Sequence, residues 1–260
     1  MVFPSISVLN SLRLYHYGDI IVTNLLWGNC MIKTLTIYHG SQHIIEALVY
    51  GAGRKNNDFG VGFYCTANKE LAKEWAVSSF RDGFCNRYAL DAEFLKVLKL
   101  NSPDYTVLNW MAVLVEHRLF ALKTPVARRA RAFLTANFGI NVNAYDLIIG
   151  YRADDSYFDF AEAFLNNAIT VEQLARALRL GKLGEQIILK SKFAFSMLRY
   201  EGCEPAKNDI YLIRRRSRDD LANQMYLTIL EEEPAGLFIQ DIIREDIGND
   251  DPRLPRNISP

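Results

Sequence analysis

Three short stretches carry the side chains best suited to chemistry: Tyr38-His39-Gly40-Ser41, the run from Asp58 to Thr66 (DFGVGFYCT), and the run from Gly184 to Ser191 (GEQIILKS). The first two put one His, one Tyr and several glycines on short apolar segments. Gly60 and Gly62 permit close backbone approach, and Tyr64 offers a flat face to a ring-shaped ligand. The third stretch sets Glu185 and Gln186 at the mouth of an apolar strand.

These stretches must be positioned by regular elements. Thr34 to Tyr38 alternates with β-branched residues and reads as a strand, and Val61 to Thr66 reads as a second one. A helix over about 69–79 buries Leu71, Ala72, Trp75 and Ala76, and a longer apolar pattern over 104–122 aligns Val107, Leu108, Met111, Leu114 and Val115. Thr124-Pro125 opens a helix that Gly139 stops, and Thr170 with Gln173 forms a capping box for a helix that Gly181 closes. Ala144 to Gly150 and Gln186 to Leu189 read as buried strands, with Asp154-Asp155-Ser156 as a polar turn. Beyond residue 202 the character changes to a helical appendage of opposed charges, with Arg214-Arg215-Arg216 and Arg218 on a solvated helix face, then a polar tail from Gly248. Residues 1–30 are expected to stand outside the fold as an extension, consistent with a later natural start, because Met31 directly precedes the first convincing strand. The domain proper is expected over residues 31–202.

The chain has 260 residues, half of them hydrophobic, with 30 Lys+Arg against 30 Asp+Glu and a formal net charge of zero. One sizeable core fits this length, and no global field draws the chain toward nucleic acid or an anionic membrane. The four cysteines are scattered without CxxC pairing, which suggests free thiols in a reducing, cytoplasmic setting. His39 and His43 have HxxxH spacing but no accompanying carboxylate or thiol motif, so no metal site is expected. No run is apolar and long enough to span a membrane, and no signal peptide is evident.

Taken together, the stretches resemble the ADP-ribosyltransferase superfamily of the His-Tyr-Glu type. More closely, they resemble a small bacterial family catalogued as domain of unknown function 3990. The resemblance rests on Tyr38 to Ser41, Asp58 to Thr66, Ala72 to Ala76, Tyr145 to Asp155 and the strand from Gln186, and it covers about residues 34–202. It implies an α/β (α+β) fold: a pair of small packed β-sheets with a cleft between them, flanked by helices. It also implies NAD+ as co-substrate, with no metal. By resemblance, His39 would bond a ribose, the backbone of Gly40 would pair with the nicotinamide carboxamide, and Tyr64 would stack on the nicotinamide. Trp75 would close the other side, and Ser41 and Gly62 complete the cofactor contacts. The superfamily places a Glu at the start of the third stretch, against the ribose 2′-hydroxyl. The downstream match puts Gln186 there, and a shift of one residue puts Glu185 there. Only one of them can face the site, since a one-residue slip turns the side chain to the other face of a strand.

The function implied is a mono-ADP-ribosyltransferase acting on a macromolecule, a protein sooner than a nucleic acid. By analogy, it would be a toxin or defence factor held by a small inhibitor protein. Two departures, Ala72 where polymerases carry a Ser and the neutral Gln186, favour the alternative of a catalytically inactive interaction module. Each residue also has a plainer explanation: His39 as a half-buried polar group, Trp75 as packing, Gly60 and Gly62 as a bulge. Their occurrence together and in order is what points to a site.

Overall fold

The computed structural model describes residues 13–17, 20–27, 30–153, 155–180 and 184–257. Asp154 and Gly181, read as a turn residue and a helix stop, lie outside the described residues.

Two β-sheets pack face to face. The first holds β1 (Arg13–Tyr17), β2 (Ile20–Trp27), β3 (Cys30–Ser41), β5 (Gly83–Asp91) and β9 (Leu198–Ala206), all antiparallel, in the order β1-β2-β3-β5-β9. The second holds β4 (Phe63–Cys65), β6 (Val97–Lys99), β7 (Leu147–Tyr151) and β8 (Glu185–Leu189) in the order β4-β8-β7-β6, with only β6 and β7 parallel. Alternation along the strands decides what goes where. Leu35 and Ile37 of β3, Leu147 and Ile149 of β7, and Ile187 and Leu189 of β8 are buried in one cluster between the sheets. Ile148 and Ile188, one residue out of phase, belong to the cluster on the helical side of the second sheet.

That helical layer comprises α2 (Val107–His117), α3 (Pro125–Phe138), α4 (Asp155–Leu165), α5 (Val171–Ala177), α7 (Asn208–Glu231) and α8 (Ile239–Arg244), while α1 (Lys69–Ala76) packs on β3 and α6 (Lys192–Ser196) follows β8. Side-chain caps set the helix starts, as the sequence cues at Thr124-Pro125 and at Thr170 with Gln173 indicate. Asn68 caps α1 through its Oδ1, Thr124 caps α3 with Pro125 at its first turn, and Thr170 and Gln173 form the box that starts α5. Within the amphipathic stretch over 104–122 lies the central helix α2, with every residue from Val107 to Val115 out of solvent. Among the described residues no helix is long and apolar enough to cross a membrane.

Two expectations about boundaries meet a different arrangement. Residues 13–17 and 20–27 form a pair of antiparallel strands, a β-hairpin arm on the sheet edge, with Val22 to Trp27 opposite Leu35 to Cys30. Their β-branched run suits pairing despite the interrupting Asn24. β5 takes over on the other side of β3 from Thr34 onward, so the hairpin extends past the main sheet. At the other end, Ile229 of α7, Ile239 and Ile242 of α8, Ile247 and Leu254 are buried in the main core. Asn257 is tied in as well, its side-chain amide donating to Leu100 O at 2.6 Å. From α7 to Asn257 the chain is built on the same core as the rest, not appended to it.

The packing of α1 on β3 fixes the identity of residue 40. A Cβ at Gly40 would lie 1.9 Å from the carbonyl oxygen of Ala72 and 2.8 Å from Ala76 N. Gly40→Ala is therefore expected to destabilise the fold by about 3 kcal/mol or more in chemical unfolding. Gly248→Ala, with nothing within 4 Å of the added Cβ, should stay within about 0.5 kcal/mol of the parent.

Candidate functional site

A cavity of about 940 Å³ opens where the two sheets and α1 meet, and its wall includes His39, Gly40 and Ser41 from β3, Gly62 and Tyr64 from around β4, and Trp75 from α1. Gln186, the second residue of β8, completes the predicted set on the same wall. The three stretches singled out by residue type therefore converge on one hollow. Glu185 does not line it: it sits opposite Tyr151 on the other face of β8, in phase with Ile187 and Leu189. Of the two alternatives for the third stretch, Gln186 is the one at the cavity.

The backbone around Gly40 suits recognition of a planar amide. Tyr38 spends its N–H and C=O on Thr66, at 2.8 and 2.9 Å, along the edge of β3 away from β5. Peptide groups two residues apart point the same way in a strand, so those of Gly40 face that same edge, beyond which the cavity lies. The crowding at Gly40 comes from α1, however: the group an extra side chain would strike is the Ala72 carbonyl. Ser41 lines the cavity with its Oγ accepting from the His43 N–H at 3.2 Å.

His39 is held by Nδ1, 2.7 Å from the Tyr64 carbonyl oxygen, and its ring lies against Phe63 with centroids 4.5 Å apart. A carbonyl can only accept, so Nδ1 carries the proton and Nε2 is left as the acceptor of the neutral ring. Burial lowers the pKa of this imidazole, and the bond to Tyr64 offsets only part of that shift. Tyr64 is fixed at both ends. Its hydroxyl donates to Gly60 O at 2.6 Å and accepts from the Phe59 N–H at 3.1 Å, and burial pushes its pKa far upward, so it stays a phenol. The turn that receives it needs Gly60, whose φ of +71° is left-handed. Lys190 staples the same turn, its Nζ donating to Phe59 O at 2.8 Å and Val61 O at 2.7 Å.

The residue that sequence reasoning missed is Asp58. Its Oδ2 accepts from the side-chain Nε2 of Gln186 at 2.7 Å and from the Ala153 N–H at 2.9 Å, and Arg118 lies 3.6 Å from its other oxygen. Burial raises the pKa of this carboxyl, opposed by the Ala153 and Gln186 bonds and by the charges of Arg118 and Arg152. With one amide N–H of Gln186 bonded to Asp58, the orientation of the amide is set and Oε1 is its acceptor for a ligand. The signal was available, because Asp58 opens the most distinctive motif in the chain. Arg118, at the C-terminus of α2, carried no comparable cue. Trp75 reaches the cavity, but Arg152 lies over its ring at 4.3 Å, so one face of the indole is already occupied. Among the described residues no three His, Cys, Asp or Glu side chains come together to hold a metal ion, and Cys65, Cys85 and Cys203 are free thiols.

Fold and site together define a two-sheet α+β protein with a ligand-sized cleft built from strand ends. Residues 35–200 match the model of the family described as Protein of unknown function (DUF3990), and the chain belongs to that family. No curated protein and no solved structure matches it.

The environment of His39 sets a pH dependence. The folded pKa lies below the ordinary 6.5, so the unfolded chain takes up a proton that the native state refuses. The contribution to stability is complete above 6.5 and is lost as pH falls through the folded value. Urea unfolding between about pH 6.5 and 5 should show a shallower loss of stability for His39→Asn than for the parent. An unchanged slope would mean that the imidazole titrates freely in the native protein.

Proposed function

We propose that this protein is a mono-ADP-ribosyltransferase that takes NAD+ as co-substrate and modifies a macromolecule, a protein sooner than a nucleic acid. The observation carrying this reading is that His39, Tyr64 and Gln186, from three distant stretches, line one cavity of about 940 Å³. In the proposed site the fixed ring of Tyr64 is the platform for the nicotinamide, and the backbone of Gly40 pairs with its carboxamide. Nε2 of His39 accepts a hydrogen bond from a ribose hydroxyl. Oε1 of Gln186 accepts from the hydroxyl of the ribose whose C–N bond breaks. Nicotinamide leaves with the bonding electrons, and a nucleophile of the acceptor attacks the cationic sugar and loses its proton.

Superfamily enzymes of this type use a Glu at the position taken by Gln186, so the negative charge must come from elsewhere. Asp58, one hydrogen bond behind the amide, can supply it by polarising Gln186 so that Oε1 gains acceptor strength. Positioning and electrostatics then carry the reaction. A cytoplasmic role as a toxin or defence factor, checked by a small inhibitor protein, belongs to the same proposal by analogy. The neutral amide at 186 and the occupied face of Trp75 favour a second reading, an interaction module that binds without turnover.

Incubation with NAD+ labelled in the nicotinamide separates the two. Release of nicotinamide is expected from the parent protein, falling about 10²-fold or more in both Gln186→Ala and Asp58→Asn. No release, with NAD+ binding still measurable by calorimetry, would leave only the interaction module.

A further inference from the structure

The charge of this chain sums to zero, yet the cavity is lined by five arginines against two aspartates, with no lysine or glutamate. Three of the arginines come from loops and helix ends. Arg118 faces Asp58, Arg152 covers Trp75, and Arg54 stands exposed on the loop before β4. The other two, Arg215 and Arg216, come from α7, which starts after the family-matched segment ends at residue 200.

The helix divides its side chains by face. Tyr211, Arg214 and Arg218 follow the i, i+3, i+7 spacing of one stripe and dock on α1. Arg214 reaches Glu70 at 2.7 Å, Arg218 reaches the half-buried Glu74 at 2.6 Å, and Tyr211 also bonds Glu70 at 3.2 Å. Leu212, Arg215, Arg216 and Asp219 form the adjoining stripe, with the last three on the cavity wall. The arginine run is therefore more than a solvated helix face: two of its members anchor the helix and two line the hollow. The carboxylates of α1 that engage this helix, Glu70 and Glu74, go to Arg214 and Arg218 and not to Arg215 or Arg216. The nearest bond of Arg215 is a long one, 3.5 Å to Val77 O.

Guanidinium groups that outnumber the carboxylates on the wall of a concavity are suited to a phosphate-bearing ligand, because the planar fork matches phosphate oxygens. We propose that Arg215 and Arg216 of α7 seat the diphosphate of a dinucleotide, so that a helix outside the family-matched segment completes the ligand site. That the ligand is a dinucleotide rests on the function proposed above; that the seat binds a diphosphate rests on the charge and geometry alone.

Calorimetry on the full chain with ADP-ribose, inorganic pyrophosphate and nicotinamide riboside, which has no phosphate, tests both. Arg215→Gln and Arg216→Gln should each weaken ADP-ribose about tenfold, and the double variant about a hundredfold. The salt dependence of that binding should become shallower, and nicotinamide riboside should be unaffected. Arg214→Gln, on the docking stripe, reports on the attachment of α7 and should change ADP-ribose affinity less than either. Undiminished ADP-ribose binding in the double variant would overturn the seat, as would an equal loss for nicotinamide riboside. A parent protein that binds pyrophosphate through these arginines but not nicotinamide riboside would keep the seat and sink the dinucleotide reading. One that binds nicotinamide riboside, with ADP-ribose affinity indifferent to both substitutions, would do the reverse. A parent that binds none of the three overturns both.

Discussion

The hydrogen bond between Asp58 and Gln186 joins residues 128 positions apart and sets the orientation of the site. A buried carboxylate is costly unless its lone pairs are used, and Asp58 uses them on Gln186, on the Ala153 backbone and on the nearby charge of Arg118. Three segments are thereby pinned to one atom group: the turn before β4, the start of β8 and the loop after β7. The end-over-end orientation of the Gln186 amide is set by Asp58, because a carboxylate can only accept and so takes the nitrogen end. Around this point the remaining parts are held by backbone contacts: His39 on the Tyr64 carbonyl, Tyr64 on the Gly60 carbonyl and Lys190 on both sides of the same turn. The cavity wall is cross-linked by polar bonds as well as packed where the proposed chemistry would occur.

A second dependence runs through α1. That helix presses on β3 at Gly40, carries Trp75 to the cavity and receives α7 through Glu70 and Glu74. The Glu74–Arg218 pair is largely withdrawn from solvent, and burial raises the Glu74 pKa despite the guanidinium beside it. Such a pair adds little net stability, but it fixes register, since either charge left alone would be expensive. The C-terminal segment is thus keyed to α1 at a defined rotation, and that rotation decides which arginines reach the cavity.

Much of this was legible beforehand, for identifiable reasons. Caps announce helix starts because Thr124 and Thr170 satisfy specific backbone donors, and each does so here. β7 and β8 were readable as apolar runs because they are buried on both faces. β5 was not: its Asn86 is fully buried yet polar, bonding the backbone of His39, His43 and Ile45, and a register shift at Arg87/Tyr88 breaks its pairing with β9. His39, Gly40, Ser41, Gly62, Tyr64, Trp75 and Gln186 were named from motif order and do share the cavity, whereas Glu185 faces away from it. The role of Asp58 is not legible in its motif, because its partner Gln186 lies on another strand and only tertiary structure pairs them. The arginines of α7 were hidden for a similar reason. Their neighbouring acids Asp219 and Asp220 suggested local compensation, while the acids that engage Arg214 and Arg218 sit on α1.

The central claim is that Asp58 and Gln186 act as one unit. A double-mutant cycle on unfolding free energy, with Asp58→Ala, Gln186→Ala and the pair combined, measures this directly. The account predicts a coupling of about 1–3 kcal/mol, with the double variant less damaged than the sum of the singles. Additive losses, within about 0.5 kcal/mol, would mean that the two side chains do not hold each other, and the oriented amide on which the site is built would be gone.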